Sequence, residues 1–181
     1  MLKMKKLKDF DIPFVGLKQG KHQFDFDIKK AFFDAFEYDD FNDADVKVSM
    51  ELDKKSSLLE LTFKAQGYVN VNCDVCNEQY DQEIKGKLHL VVKFGDQYND
   101  ENEEILIIPH GEHQINVAQF IYEMIVLSVP LKRVHPGIKD GTLSTEILDK
   151  LEEFQPKEEI EHKDGETDPR WDQLKKLLTD K

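Results

Sequence analysis

Leu59-Glu60-Leu61-Thr62-Phe63-Lys64-Ala65-Gln66-Gly67-Tyr68-Val69-Asn70-Val71-Asn72-Cys73-Asp74-Val75-Cys76 is the stretch that decides the fold. Leu59, Leu61, Phe63, Ala65, Val69 and Val71 share one parity; Glu60, Thr62, Lys64, Gln66, Asn70 and Asn72 share the other. The chain after the second cysteine alternates in the same way. Tyr80, Ile84, Leu88, Leu90, Val92 and Phe94 face one side, and Asp81, Glu83, Lys85, Lys87, His89 and Lys93 the other. Successive strand residues point to opposite faces, so this pattern predicts two long strands with one buried face each. Cys73-Asp74-Val75-Cys76-Asn77-Glu78 must then turn the chain between them.

Working outward, 11–17 and 22–28 read as two short strands around Gln19-Gly20, with Phe24, Phe26 and Ile28 as the apolar set. Residues 27–36 offer Asp27 as a cap and Ala31, Phe32, Phe33 and Phe36 as an apolar stripe, which predicts a short helix. Val46, Val48, Met50 and Leu52 mark a further strand. A short strand over 105–108 is stopped by Pro109. Val117, Phe120, Ile121, Met124, Ile125 and Leu127 have helical spacing, and Pro130 ends that helix. Another helix is expected over 144–154. The fold class implied is α+β: a curled antiparallel β-meander, a partial barrel, packed by one or two helices.

The chain has 181 residues, 39% hydrophobic and 34% charged, with a net charge of −12. Residues 95–104 hold five carboxylates and no lysine or arginine; residues 152–168 hold eight carboxylates against two lysines. The acidity therefore belongs to one loop and one linker. Such runs are solvated, or meet a basic partner. Residues 155–167 are almost free of apolar side chains and read as an acidic disordered linker following a domain over 1–154. Residues 168–181 re-form as an amphipathic helix, with Asp168 at the cap and Pro169 at the first helical position. Arg170, Trp171, Leu174, Lys175 and Leu177 are the candidate partner-binding residues of that tail.

No run of about 18 uninterrupted apolar residues occurs, which argues against a membrane-spanning helix. The basic start, with Lys3, Lys5, Lys6 and Lys8, has no apolar segment behind it and is not a secretory signal. A reducing cytoplasm is expected, where a lasting disulfide is disfavoured. Phosphate-binding glycine loops, nucleophile elbows and metalloprotease helices are all missing from the sequence, and the carboxylates cluster where an acid/base pair cannot be positioned. A small-molecule substrate is not evident. The strands do not interleave basic and aromatic residues in the way that single-strand RNA recognition uses.

Cys73 and Cys76 remain the chemically expressive pair. At a turn, two cysteines at this spacing orient two thiolates toward one metal, with Asn77 suited to the left-handed residue that follows. Zinc normally takes four ligands, and the histidines His110, His113 and His135 are the nearest further donors. A redox dithiol is the second reading, although the pair lacks the helix dipole that lowers a thiol pKa in thioredoxin-like motifs. Two small buried thiols filling a turn are the third.

Three motifs occur in a familiar order: Cys73-Asp74-Val75-Cys76 after a long strand, Leu127-Ser128-Val129-Pro130-Leu131-Lys132-Arg133-Val134-His135 after a helix, and Asp168-Pro169-Arg170-Trp171-Asp172-Gln173-Leu174-Lys175-Lys176-Leu177 at the end. In this order they resemble the YceD-like proteins, named for accumulation of large-subunit ribosomal RNA. The resemblance implies a bacterial cytosolic factor in ribosome biogenesis with no enzymatic activity. It would bind a large ribosomal subunit protein or pre-ribosomal RNA. Members of that family often carry further cysteine or histidine after the proline segment, completing a metal site. His135 matches such a position but no cysteine follows it, so Cys73, Cys76 and His135 are the possible zinc ligands carried over. The alternatives are a thiol-disulfide protein using Cys73 and Cys76, or a zinc-stabilised binding module.

Overall fold

The computed structural model describes residues 7–102, 104–143 and 146–154. The expected linker over 155–167 and the tail with Arg170, Trp171, Leu174, Lys175 and Leu177 lie outside the described residues. Two compact units divide the chain, Met1–Ser144 and Thr145–Lys181.

In the first unit a 3-10 turn at Lys8–Phe10 leads into β1 (Asp11–Ile12), β2 (Gly20–Lys29), α1 (Lys30–Ala35), β3 (Asp43–Lys54), β4 (Leu58–Asn72), β5 (Gln79–Gly95), β6 (Asn99–Asn102), β7 (Ile105–Pro109), β8 (Ile115–Asn116), α2 (Ala118–Leu127) and α3 (Pro136–Lys139). The second unit contributes α4 (Glu146–Phe154). Six strands form an open sheet in the order β2-β3-β4-β5-β7-β6, and β1 pairs with β8 in a separate two-stranded ribbon.

The long alternating run folds as its pattern requires. β2, β3, β4 and β5 are a continuous antiparallel meander. Leu59, Leu61, Phe63, Val69 and Val71 of β4 are buried, together with Val46, Val48, Met50 and Leu52 of β3 and Ile84, Leu90 and Val92 of β5. That face is covered by α2, whose Ile121 and Ile125 are fully buried. Two glycines permit the close approaches. A Cβ at Gly67 would stand 2.1 Å from the Asp45 carbonyl oxygen, and one at Gly86 would stand 2.6 Å from Ser128 Oγ and 3.0 Å from Met124 Cγ. The first lets β3 and β4 approach; the second seats α2 on β5. An aromatic cluster closes one end, with Phe36 stacked on Tyr122 at 4.4 Å and Phe33 edge-on to Phe41 at 4.9 Å.

Four expectations are corrected. The strand over 11–17 is only the two residues of β1, which pairs with β8 rather than with β2. Lys54 explains why: its ammonium donates to the carbonyls of Phe14 and Leu17 at 2.8 Å and of Val15 at 3.2 Å. Carbonyls satisfied by one side chain need no strand partner. The first helix begins at Lys30, and Asp27 is not its cap. Ladder pairing with β3 continues to Lys29, where a 2.6 Å ion pair with Asp45 holds the backbone extended. The acidic 95–104 segment is not all loop, because β6 lies in it as the edge strand. β7 enters between β6 and β5, and it runs parallel to β5. The sheet is thus mostly, not wholly, antiparallel. Among the described residues no helix is long and apolar enough to cross a membrane.

Candidate functional site

The turn between β4 and β5 has the geometry that its cysteine spacing predicts. The Cys73 N–H donates to the Glu78 carbonyl and the Asn77 N–H to the Cys73 carbonyl, both at 2.9 Å. Asn77 takes the left-handed conformation at φ 60°, which Asn tolerates better than most residues. Asn72 braces it, donating to Asn77 Oδ1 at 3.2 Å. Both sulfurs are buried and reduced.

A segment distant in sequence closes over this turn. Asp74 donates its N–H to the Arg133 carbonyl at 2.8 Å, and its carboxylate accepts the Arg133 N–H at 2.6 Å. Arg133 Nε lies 3.5 Å from the other carboxylate oxygen. The reciprocal pair clasps the post-α2 segment to the turn. Two residues on, the His135 N–H donates to Cys73 Sγ at 3.3 Å, joining the Val75 N–H at 3.4 Å. The His135 ring packs edge-on against Tyr80 at 5.4 Å. Its Nδ1 accepts the Gly137 N–H at 2.9 Å, capping α3 with Pro136 at the first helical position.

Electrostatics separates the two thiols. Burial pushes the Cys73 thiol up. The N–H groups of His135, Cys76 and Val75 and the Cys76 thiol outweigh it, so the pKa falls below the ordinary value. Cys76 is raised by burial and by its neighbour Cys73, against the opposing pull of the Glu78 N–H. Cys73 is therefore the more acidic of the two thiols, and the pair loses its protons in two steps.

Cys73, Cys76 and His135 are brought together, but through the backbone of His135. A zinc ion would need the ring. Nδ1 accepts a hydrogen bond, so in the neutral tautomer the proton sits on Nε2, which leaves neither nitrogen free without losing the α3 cap. His110 lies against Phe94 at a ring distance of 6.4 Å instead, and His22 is half-buried with Nε2 2.8 Å from the Lys18 carbonyl. Among the described residues, no three His, Cys, Asp or Glu side chains stand where they could hold a metal ion. The donor set does not fit four-coordinate zinc.

The sequence reading passes over a second feature, on the solvent face of the meander. Lys64 of β4 stands directly across from Lys87 of β5, and Gln66 stands between Lys47 of β3 and Lys85 of β5. All four lysines are exposed. Each lysine reads singly as an ordinary polar-face residue. The signal that could have found them is the pairing register set by the six-residue cysteine turn.

Among known families, the YceD model, described as large ribosomal RNA subunit accumulation protein YceD, matches residues 61–178. Comparison with curated proteins and with solved structures finds no match. The matched stretch takes in the cysteine turn, the helix that covers the sheet and the segment clasped over the turn. The chain belongs to the YceD family.

Proposed function

We propose that the protein is a non-enzymatic factor that supports accumulation of the large ribosomal RNA subunit by binding pre-ribosomal RNA or a large-subunit ribosomal protein. The family match over residues 61–178 carries this reading. The fold supports a binding role. One face of a long meander is buried, and the other is a broad polar surface that no described element covers.

The test is depletion of the protein followed by profiling of ribosomal RNA and subunits. A selective fall in large-subunit RNA, restored by the intact chain, is the expected outcome. Unchanged large-subunit RNA with normal subunit ratios would refute the reading.

A further inference from the structure

Lys85, Lys87, His89 and Lys93 of β5 all point to the solvent face and are exposed. Residues two apart on a strand are separated by about 6.8 Å, so Lys85, Lys87 and Lys93, with His89 between the last two, form a line of about 27 Å. Lys64 widens it on β4, and Lys47 lies beyond Gln66 on β3.

Elsewhere on this face the cations are matched by carboxylates across neighbouring strands or turns. Lys21 meets Glu51 at 2.8 Å, Lys29 meets Asp45 at 2.6 Å, and Lys55 meets Glu60. In the line itself, among the described residues, Lys85 alone has an ion pair, with Glu83 two residues along β5 at 2.8 Å, and the Glu60 carboxylate lies near His89. Asp27 stands across from Lys47 without an ion pair. Lys64 and Lys87 instead oppose each other. Like charges directly across a ladder are destabilising, and no described carboxylate stands directly across from either lysine. A bound anion would offset the pair. Carboxylates Asp81 and Glu83 mark one end of the line, so it runs from Lys85 toward Lys93.

The occupant that this pattern fits is a linear polyanion with regularly spaced charges. Lysine separations along β5 approximate those of successive phosphates in an extended strand. Thr62, Gln66 and His89 add hydrogen-bonding groups beside the lysines. Most of the net charge of −12 lies in 95–104 and 152–168. Asp100 of the first run lines a cavity with Lys85 and Lys87, so a bound polyanion is held on the outer side of these lysines, and salt screens charges beyond about 8 Å. We infer that the outer face of β4 and β5, centred on Lys64, Lys85 and Lys87 and extended by Lys47, His89 and Lys93, binds the phosphate backbone of single-stranded RNA. That the RNA is a large-subunit precursor rests on the ribosomal reading above; the binding surface does not.

The test titrates the full chain against a fluorescent oligouridylate of about 12 nucleotides, within the site sizes known for single-strand binders. Three to four phosphate contacts predict that log affinity falls against log salt with a slope of about −2 to −3. Lys64→Gln with Lys87→Gln should weaken binding about tenfold at low salt and reduce the slope by about 1.4. That variant should melt no lower than the parent, since it relieves a like-charge pair. Lys21→Gln with Lys29→Gln, on the same face but ion-paired, should bind as the parent does. Equal binding by the Lys64/Lys87 variant, or no binding by the parent at low salt, overturns the inference. Polyglutamate of equal length competing as well as RNA also overturns it, in favour of an acidic protein. In depleted cells, failure of the variant to restore large-subunit RNA supports the surface, and full restoration by an RNA-binding-deficient variant refutes its use there. Unchanged RNA on depletion refutes the ribosomal reading alone, and the titration still decides the surface.

Discussion

Replacing Asp74 by alanine tests whether the clasp between the cysteine turn and the post-α2 segment organises the thiols. The substitution removes the acceptor of the 2.6 Å bond from the Arg133 N–H and the long contact to Nε at 3.5 Å. It leaves the Asp74 N–H bond to the Arg133 carbonyl in place. A hydrogen bond to a charged group contributes about 1.5–3 kcal/mol when well shielded. The Asp74 side chain is 36% exposed, so solvent competes and brings the contribution below that range; the 3.5 Å ion pair adds little. The expected loss is about 1 kcal/mol, or about 2–4 °C in melting temperature for a chain of this size. Asp74→Asn, which keeps an acceptor oxygen, should lose less.

The local consequence is sharper than the global one. The His135 N–H is the first of the donors that hold Cys73 below the ordinary thiol value. With the carboxylate half of the clasp gone, that donor is held less firmly against the sulfur, so the Cys73 pKa should rise. The assay follows thiolate absorbance against pH in a Cys76→Ser background, with and without Asp74→Ala, and melting of each variant alongside. A rise in the Cys73 titration accompanied by modest destabilisation is the expected pair. An unmoved titration in a variant that melts lower would refute the reasoning, because the clasp would then stabilise the fold without placing the donor.

Three further outcomes follow from the same geometry. Gly67→Ala should destabilise by about 3 kcal/mol, since its Cβ meets backbone atoms, whereas Gly86→Ala, which meets two side chains able to rotate, should lose about 1 kcal/mol; chemical denaturation compares them, and equal losses would sink the distinction. With the Cys73 pKa below its unfolded value of 9.0, the native state sheds its proton first, so stability should rise with pH between the two values and fall back as pH drops through the folded one. Cys76, raised above 9.0, works oppositely: its contribution is present below 9.0 and lost as pH climbs toward the folded value. Cys73→Ser should abolish the alkaline rise, and pH-dependent urea unfolding reads it. Chelation should leave melting unchanged, because two thiols and an occupied imidazole do not complete a zinc site; protein purified without chelator and carrying about one zinc per chain would overturn that conclusion.

Much of the meander was legible before any coordinates. Alternation along 59–72 and 80–94 named the strands, their buried face and the turn between them, because period two has one structural meaning over that length. Helix α2 was equally plain from its spacing. The misread elements are those where tertiary partners override local preference. Three carbonyls in 14–17 are claimed by the Lys54 ammonium, some 40 residues away in sequence. Asp27 looks like a helix cap but lies in a ladder that extends to Lys29. The polar run at 99–102 becomes a strand only because β7 lies beside it.

The sequence by itself determined the long strands of the meander, which face of each is apolar, and that Cys73 and Cys76 share a turn, since all three depend on residues near one another in the chain. Only the tertiary structure decided what those features meet. His135 reaches Cys73 by its backbone and not its ring, because the Asp74–Arg133 clasp sets how the segment crosses the turn. Lys64 faces Lys87 because ladder register, counted from the cysteine turn, places them opposite one another. A charge has its physical meaning from its nearest neighbours in space, and for these lysines the nearest neighbours are 23 residues apart in sequence.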